Sequence, residues 1–298
     1  MATDKSGLSR RDFMKGVGGA LVGMAVGLPA TATAKTTQAS KSRVVLIRNQ
    51  DVVLGLREND ADLLRRMLDE AMMSLFGLDS PSACWTHIIK PDDIVGIKTN
   101  VWRYLPTPPE LEQAFRHGAL EAGVADENIA IDDRGVLQNE VFRRSTALIN
   151  SRPMRTHAWS GVGSLIKNHI MFDNPEDYHS DACADLAKLW DLPIIRGKTR
   201  LNVLVMLTPQ FHNIGPHHFD EEYTWPYGGL IVATDPVAAD AVGLRIIQQK
   251  RRLVFGEDRP LQPTAHHIAL ADTEYGLGNA SMEKIELVRL GWQEDSLI

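Results

Sequence analysis

Cation, amide, imidazole, carboxylate and thiol fall within one short stretch of this chain, Gly161 to Cys183, which reads GVGSLIKNHIMFDNPEDYHSDAC. Its two opening glycines, Gly161 and Gly163, allow a backbone to approach a neighbour closely. Lys167, Asn168 and His169 follow in a row. Lys167 and Asn168, coming just after the glycines, suit the carboxylate or phosphate of an anionic ligand. His169 is a candidate acid/base, because imidazole titrates near neutrality. An Asn-Pro-Glu-Asp turn then leads into a predicted helix with His179, Asp181 and Cys183. On a helix, His179 and Cys183 share a face. They read either as half of a metal site or as an imidazole packed beside a small thiol.

A second cluster lies between Phe211 and Asp220, FHNIGPHHFD. His212, His217 and Asp220 have the ligand types of a zinc, iron, manganese or nickel site. The competing reading is solvated loop histidines, since no H-x-x-x-H or H-E-x-x-H spacing fixes a geometry. His266-His267 is a weaker candidate, because adjacent residues point different ways.

These residues need elements to hold them. Arg43–Arg48, Ile94–Lys98, Asn128–Ile131, Leu201–Leu207 and Leu230–Ala233 have the β-branched, apolar content of strands, and Ile285–Leu290 reads as a late, edge strand. Asp60 opens a helix with apolar residues at helical spacing that Gly77 stops. Thr107 is the expected N-cap of a second helix with Pro108 at its first position, running to about Glu121. A helix is expected over 136–150 and another over Val237–Gln249, capped by Asp235. The alternation of strand and helix predicts an α/β fold, with a mostly parallel sheet flanked by helices in a single compact domain. In such sheets ligands sit outside the carboxyl ends of the strands. That rule selects Lys98 and Asn100, then Asp133 as a further acid/base candidate, and Asp235. Asp240, in an apolar helix start, has no ready explanation unless it faces solvent.

The first residues read differently. Ser9-Arg10-Arg11-Asp12-Phe13-Met14-Lys15 is a twin-arginine export motif, followed by a weakly apolar run and by Ala32-Thr33-Ala34 as a cleavage site. Residues 1–34 are therefore expected to be a signal peptide, 35–42 a linker and 43–298 the folded domain, in the periplasm. The route carries proteins that have already folded, often with a cofactor aboard. The apolar run is too short to span a membrane stably. Net charge is −6 for the whole chain. An acidic chain without a basic block argues against nucleic acid and anionic membranes as partners. Only Cys84 and Cys183 are present, so neither an all-cysteine iron–sulfur cluster nor covalently attached haem is expected. The two form a disulfide or remain buried thiols.

Several of these strings together resemble the family known as domain of unknown function 362. They are VGIKTN (95–100), Thr107-Pro108, IAIDD (129–133), LIKN (165–168), DPVAADAVG (235–243) and GLG (276–278). The resemblance implies an α/β domain, to which some members add a ferredoxin-like domain. It implies no particular reaction. Where similar sequences often place an acidic residue after the strand at 201–207, this chain has Leu207-Thr208-Pro209. Two readings of function follow. The first is an exported enzyme or redox-associated protein, meeting a redox partner protein. It would bind an anionic small molecule or cofactor at Lys98, Asn100, Lys167, Asn168 and Asp235, with a divalent transition metal on His212, His217 and Asp220. The second is a non-catalytic periplasmic protein that binds or delivers a ligand or metal with the same residues, and a partner subunit with a vestigial crevice is a third.

Overall fold

Successive side chains of a strand point to opposite faces, and here they enter two separate cores. In strand β1 (Ser42–Arg48) Val44 and Leu46 face one core, Val45 and Ile47 the other. In the later strand at Thr199–Gln210, Leu204 and Met206 alternate with Val203, Val205 and Leu207 in the same way. The structure is a computed structural model that describes residues 41–213, 215 and 217–298. The export motif and all but the end of the expected linker lie outside those residues. Ser42, expected in the linker, is the first residue of β1.

The remaining strands are β2 (Val53–Gly55), β3 (Glu58–Asn59), β4 (Val95–Lys98), β5 (Ile129–Asp132), β6 (Ala147–His157), β7 (Gly161–Gly163), β8 (Thr199–Gln210), β9 (Gly229–Ala233) and β10 (Ile285–Gly291). Apart from the small β2–β3 hairpin, they form one sheet in the order β10-β1-β9-β8-β6-β4-β5, with β7 on β6. The β1–β10, β4–β5, β4–β6 and β6–β8 pairs are parallel, and β9 is antiparallel to both β1 and β8. The fold is α/β with a mixed, mostly parallel sheet, and the described residues form one compact unit.

Helices α1 (Ala61–Phe76), α2 (Pro81–Ile88) and α3 (Pro109–Glu121) cover one face. The other face is covered by α6 (Pro236–Phe255), α7 (His266–Thr273) and short turns between Asp181 and Asp191, with α4 (Glu140–Arg144) and α5 (Leu165–Asn168) beside them. The ends of α1 follow local chemistry. The Asp60 carboxylate accepts from Leu63 N at 2.8 Å, and Gly77 takes φ +66°. No described helix is long and apolar enough to cross a membrane.

Three local expectations change. The helix expected over 136–150 shrinks to α4, and residues from Ala147 onward form β6, an eleven-residue strand buried throughout at the centre of the sheet. Thr107 does not cap α3; its Oγ1 accepts from Asn100 N (3.0 Å) and donates to Ser151 O (3.3 Å), tying a loop to β6. The segment with His179 and Cys183 is not a regular helix, because Asp181, Ala182 and Cys183 all have positive φ. The helical spacing argument for that pair therefore fails. Cys84 and Cys183 are free, buried thiols in different cores.

Candidate functional site

The parallel strands β4 and β5 end side by side while β6 runs on past them, with Lys98 in register with Asp132 on one side and Asn150 on the other. Lys98 is fully buried, and its Nζ donates to Asp133 Oδ1 (2.5 Å) and Thr99 O (2.9 Å). Asp133 Oδ2 accepts from Val101 N at 2.9 Å. Burial pushes the Asp133 carboxyl up, but the charge and hydrogen bond of Lys98 and the Val101 amide bring it below its ordinary value. Both oxygens of Asp133, an acid/base candidate in the sequence, are engaged, and its carboxylate forms an ion pair with Lys98. Asn100 turns its Oδ1 to Arg155 Nη2 at 3.0 Å.

β6 supplies the groups that the sequence did not single out. A regular strand would put Arg152 and Arg155 on opposite faces. The β6–β8 register breaks between Pro153 and Arg155, and both guanidiniums line one cleft with Asn100, Asp133, His157 and Lys167. Arg152 Nε and both Nε and Nη1 of Arg155 are buried without a hydrogen-bond partner. Arg155 also lies over the Trp102 ring, 4.4 Å from its centroid. Burial brings Arg152 down to about 10 and Arg155 well below its ordinary value, with the charge of Arg152 acting the same way on Arg155. His157 Nδ1 accepts from Trp159 N (3.2 Å), which leaves the proton on Nε2. Burial first, then the charges of Lys167, Arg152 and Arg155, hold this imidazole well below 6.5 and therefore neutral.

The opening stretch of Gly161 to His169 closes the cleft. Gly161 has φ +73°, and a Cβ there would sit 2.5 Å from Pro263 O. A Cβ on Gly163 would meet Arg152 Nη2 at 2.6 Å, so this glycine makes room for the guanidinium. Asp240 holds the next turn: its carboxylate accepts from Leu165 N (2.8 Å) and Ile166 N (2.9 Å). Ser164 Oγ shares a hydrogen bond with His267 Nε2 at 3.1 Å. Asn168 Nδ2 reaches Lys98 O (3.3 Å), Asn150 Oδ1 (2.8 Å) and Ser151 O (3.1 Å), and Asn150 Nδ2 continues the chain to Asn202 Oδ1 (2.9 Å). Asn168 thus lines the cleft chiefly as the staple between loop and strand ends. Lys167 Nζ is 3.4 Å from Cys183 Sγ. Burial lowers this ammonium to about 8, opposed by Cys183 and reinforced by Arg152.

The result is a cleft of about 380 Å³ with Arg134, Arg152, Arg155 and Lys167 in its wall. Among the described residues Asp133, already paired with Lys98, is its one carboxylate. The cleft can hold negative charge and present a neutral imidazole beside it. Five sequence-selected residues meet there: Asn100, Asp133, Lys167, Asn168 and His179. Lys98 lies directly behind them.

The other candidates do not join. His169 is turned into the core, its Nε2 bonded to Thr199 Oγ1 (3.1 Å) and its ring 4.4 Å from that of Trp190. Asp235 is an N-cap: it accepts from Val237 N, Ala238 N, Asn279 N and the Ser42 hydroxyl. Because β9 is antiparallel to β8, Asp235 leaves the sheet where β6 and β8 begin. His212, His217 and Asp220 do not converge. His212 Nδ1 meets Arg251 Nη1 at 3.2 Å, His217 stands edge-on to Trp159, and Asp220 caps Glu222 N at 3.0 Å. Among the described residues no three His, Cys, Asp or Glu side chains could hold a metal.

Comparison with family models, with characterised proteins and with solved structures found no match.

Proposed function

We propose that this is an exported α/β protein whose strand-end cleft binds an anionic small molecule, with Arg152, Arg155 and Lys167 as the anion-holding groups. The observation that carries the reading is the set of buried guanidinium nitrogens without partners, in a cleft where the carboxylate of Asp133 is neutralised by Lys98. Buried charged donors are costly unless something pairs with them, and a ligand anion is the natural partner. The twin-arginine motif supports the exported part of the reading, and the strings that resemble domain of unknown function 362 fit its α/β part.

His157 favours a second reading in which the bound anion is also a reactant. Its Nε2–H is fixed by the Trp159 amide on the far ring nitrogen, a suitable arrangement for donating to a charge that develops on a ligand. The binding reading is tested by following the unfolding midpoint of the purified protein against inorganic phosphate, sulfate, acetate and dicarboxylates. A rise that grows with the logarithm of ligand concentration above Kd is expected, about 2.7 kcal/mol of added stability at a hundredfold excess over Kd, and Arg152→Met should abolish it. If no anion in the panel moves the midpoint, the reading fails.

A further inference from the structure

A second cavity of about 410 Å³ adjoins the cleft, lined by Val101, Trp102, Arg103, Tyr104, Arg134 and His217. It shares Trp102 and Arg134 with the inner cleft. His217 of the outer cavity also stands edge-on to Trp159 of the inner one, ring centroids 4.8 Å apart. The two are therefore ends of one trench. Among the described residues no acidic side chain lines its outer end, which carries the cations Arg103 and Arg134. Trp102 and Tyr104 line it as flat rings, and Phe219 backs them. Tyr104 stacks on Phe219 at 4.8 Å with the planes 10° apart, and Trp102 stands edge-on to both. Arg103 lies over the Tyr104 ring at 4.4 Å.

We infer that the ligand is an elongated aromatic polyanion: one negative group on Arg152, Arg155 and Lys167, a planar body passing Trp102, and a second negative group on Arg103 and Arg134. This rests on the anion-binding reading above and narrows it to a substrate class. Guanidinium groups at both ends select for charge at both ends. Aromatic walls reward a planar middle, because stacked and edge-on ring pairs add to simple area burial. An aliphatic dianion would find the charges but not the walls, and an aromatic monoanion would fill only one end.

Calorimetric titration of the purified full-domain protein tests this with five probes: inorganic phosphate, benzoate, adipate, terephthalate and the longer biphenyl dicarboxylate. The better aromatic dianion should bind at least about tenfold more tightly than benzoate or adipate, close to 1.4 kcal/mol. Replacing the outer cation that the inner cleft does not share, Arg103→Ala, should bring it down towards the benzoate level and leave the phosphate affinity unchanged. If phosphate binds but neither aromatic dianion exceeds adipate and benzoate, the polyanion inference is overturned and the simple anion site stands. It is overturned equally if Arg103→Ala binds the aromatic dianion as tightly as the parent. If phosphate itself fails to bind, the anion site falls and the inference with it.

Discussion

Lys167 is the residue whose charge state a ligand would change most within an accessible pH range. Burial holds it at about 8, with Arg152 adding repulsion and the Cys183 sulfur opposing it. An anion seated among Arg152, Arg155 and Lys167 favours the charged ammonium and raises its pKa. Binding at pH 8 should therefore take up a fraction of a proton, and binding at pH 6, where Lys167 is already charged, almost none. The sign follows from linkage: affinity falls as pH rises through 8, by at most about tenfold per unit. Calorimetry in two buffers of different ionisation enthalpy measures the uptake, and Lys167→Met should remove it. Uptake at pH 8 that persists in Lys167→Met would assign the proton to another group. His157 starts neutral under the same burial and the same neighbouring charges.

At the scale of elements, the join between α5 and α6 decides whether the cleft exists. Asp240 is fully buried and satisfies the first two amides of α5. Asp240→Ala should cost about 2–4 kcal/mol, because two buried N–H groups lose their acceptor, and it should loosen Lys167 in the same step. Burial, against the two amide bonds, brings this carboxyl up from 3.8 to about 7. A raised folded-state value means that the protonated form stabilises the fold. That contribution is fully present below 3.8 and is lost as pH climbs through 7. Denaturant titrations between pH 4 and pH 8 should show this loss in the parent and not in Asp240→Asn. Much of the element layout could be read directly: β1, β4, β5, β8 and β9 from apolar runs, α1 and α6 from their Asp caps. β6 could not. Asn150, Ser151, Arg152, Pro153 and Arg155 have poor strand propensity, and pairing with β4 on one side and β8 on the other overrides it. The polar content that disguised the strand is the site itself. Asp240 carried the clearest unread signal, a carboxylate in an apolar helix start that had to meet donors from elsewhere. The left-handed residues Asp181 to Cys183 left no such trace, since none of them is glycine.

For the whole molecule, a cationic cleft inside an acidic protein of net charge −6 is a feature kept at some expense to stability. Arg152 and Arg155 repel each other and are only partly bonded. Replacing such a buried charge by an apolar side chain of similar length is often neutral or stabilising. Arg155→Met should hold or raise the unfolding midpoint of the ligand-free protein, by about 2–4 °C for each kcal/mol gained in a domain of this size, while losing the anion response. A fall in the midpoint would mark Arg155 as structural, through Asn100 and Trp102. The Asp240 clamp adds an ordering in time. It joins residues 75 positions apart, and β6 itself needs β8 beside it. Closing loops of that length comes late in folding, so a growing chain has no cleft until α6 has emerged and docked. On the anion-binding reading, the cleft becomes competent only once α6 (Pro236–Phe255) has docked. Under the export and anion-binding readings proposed above, the compartment in which the chain folds is also the one whose small anions reach the cleft first.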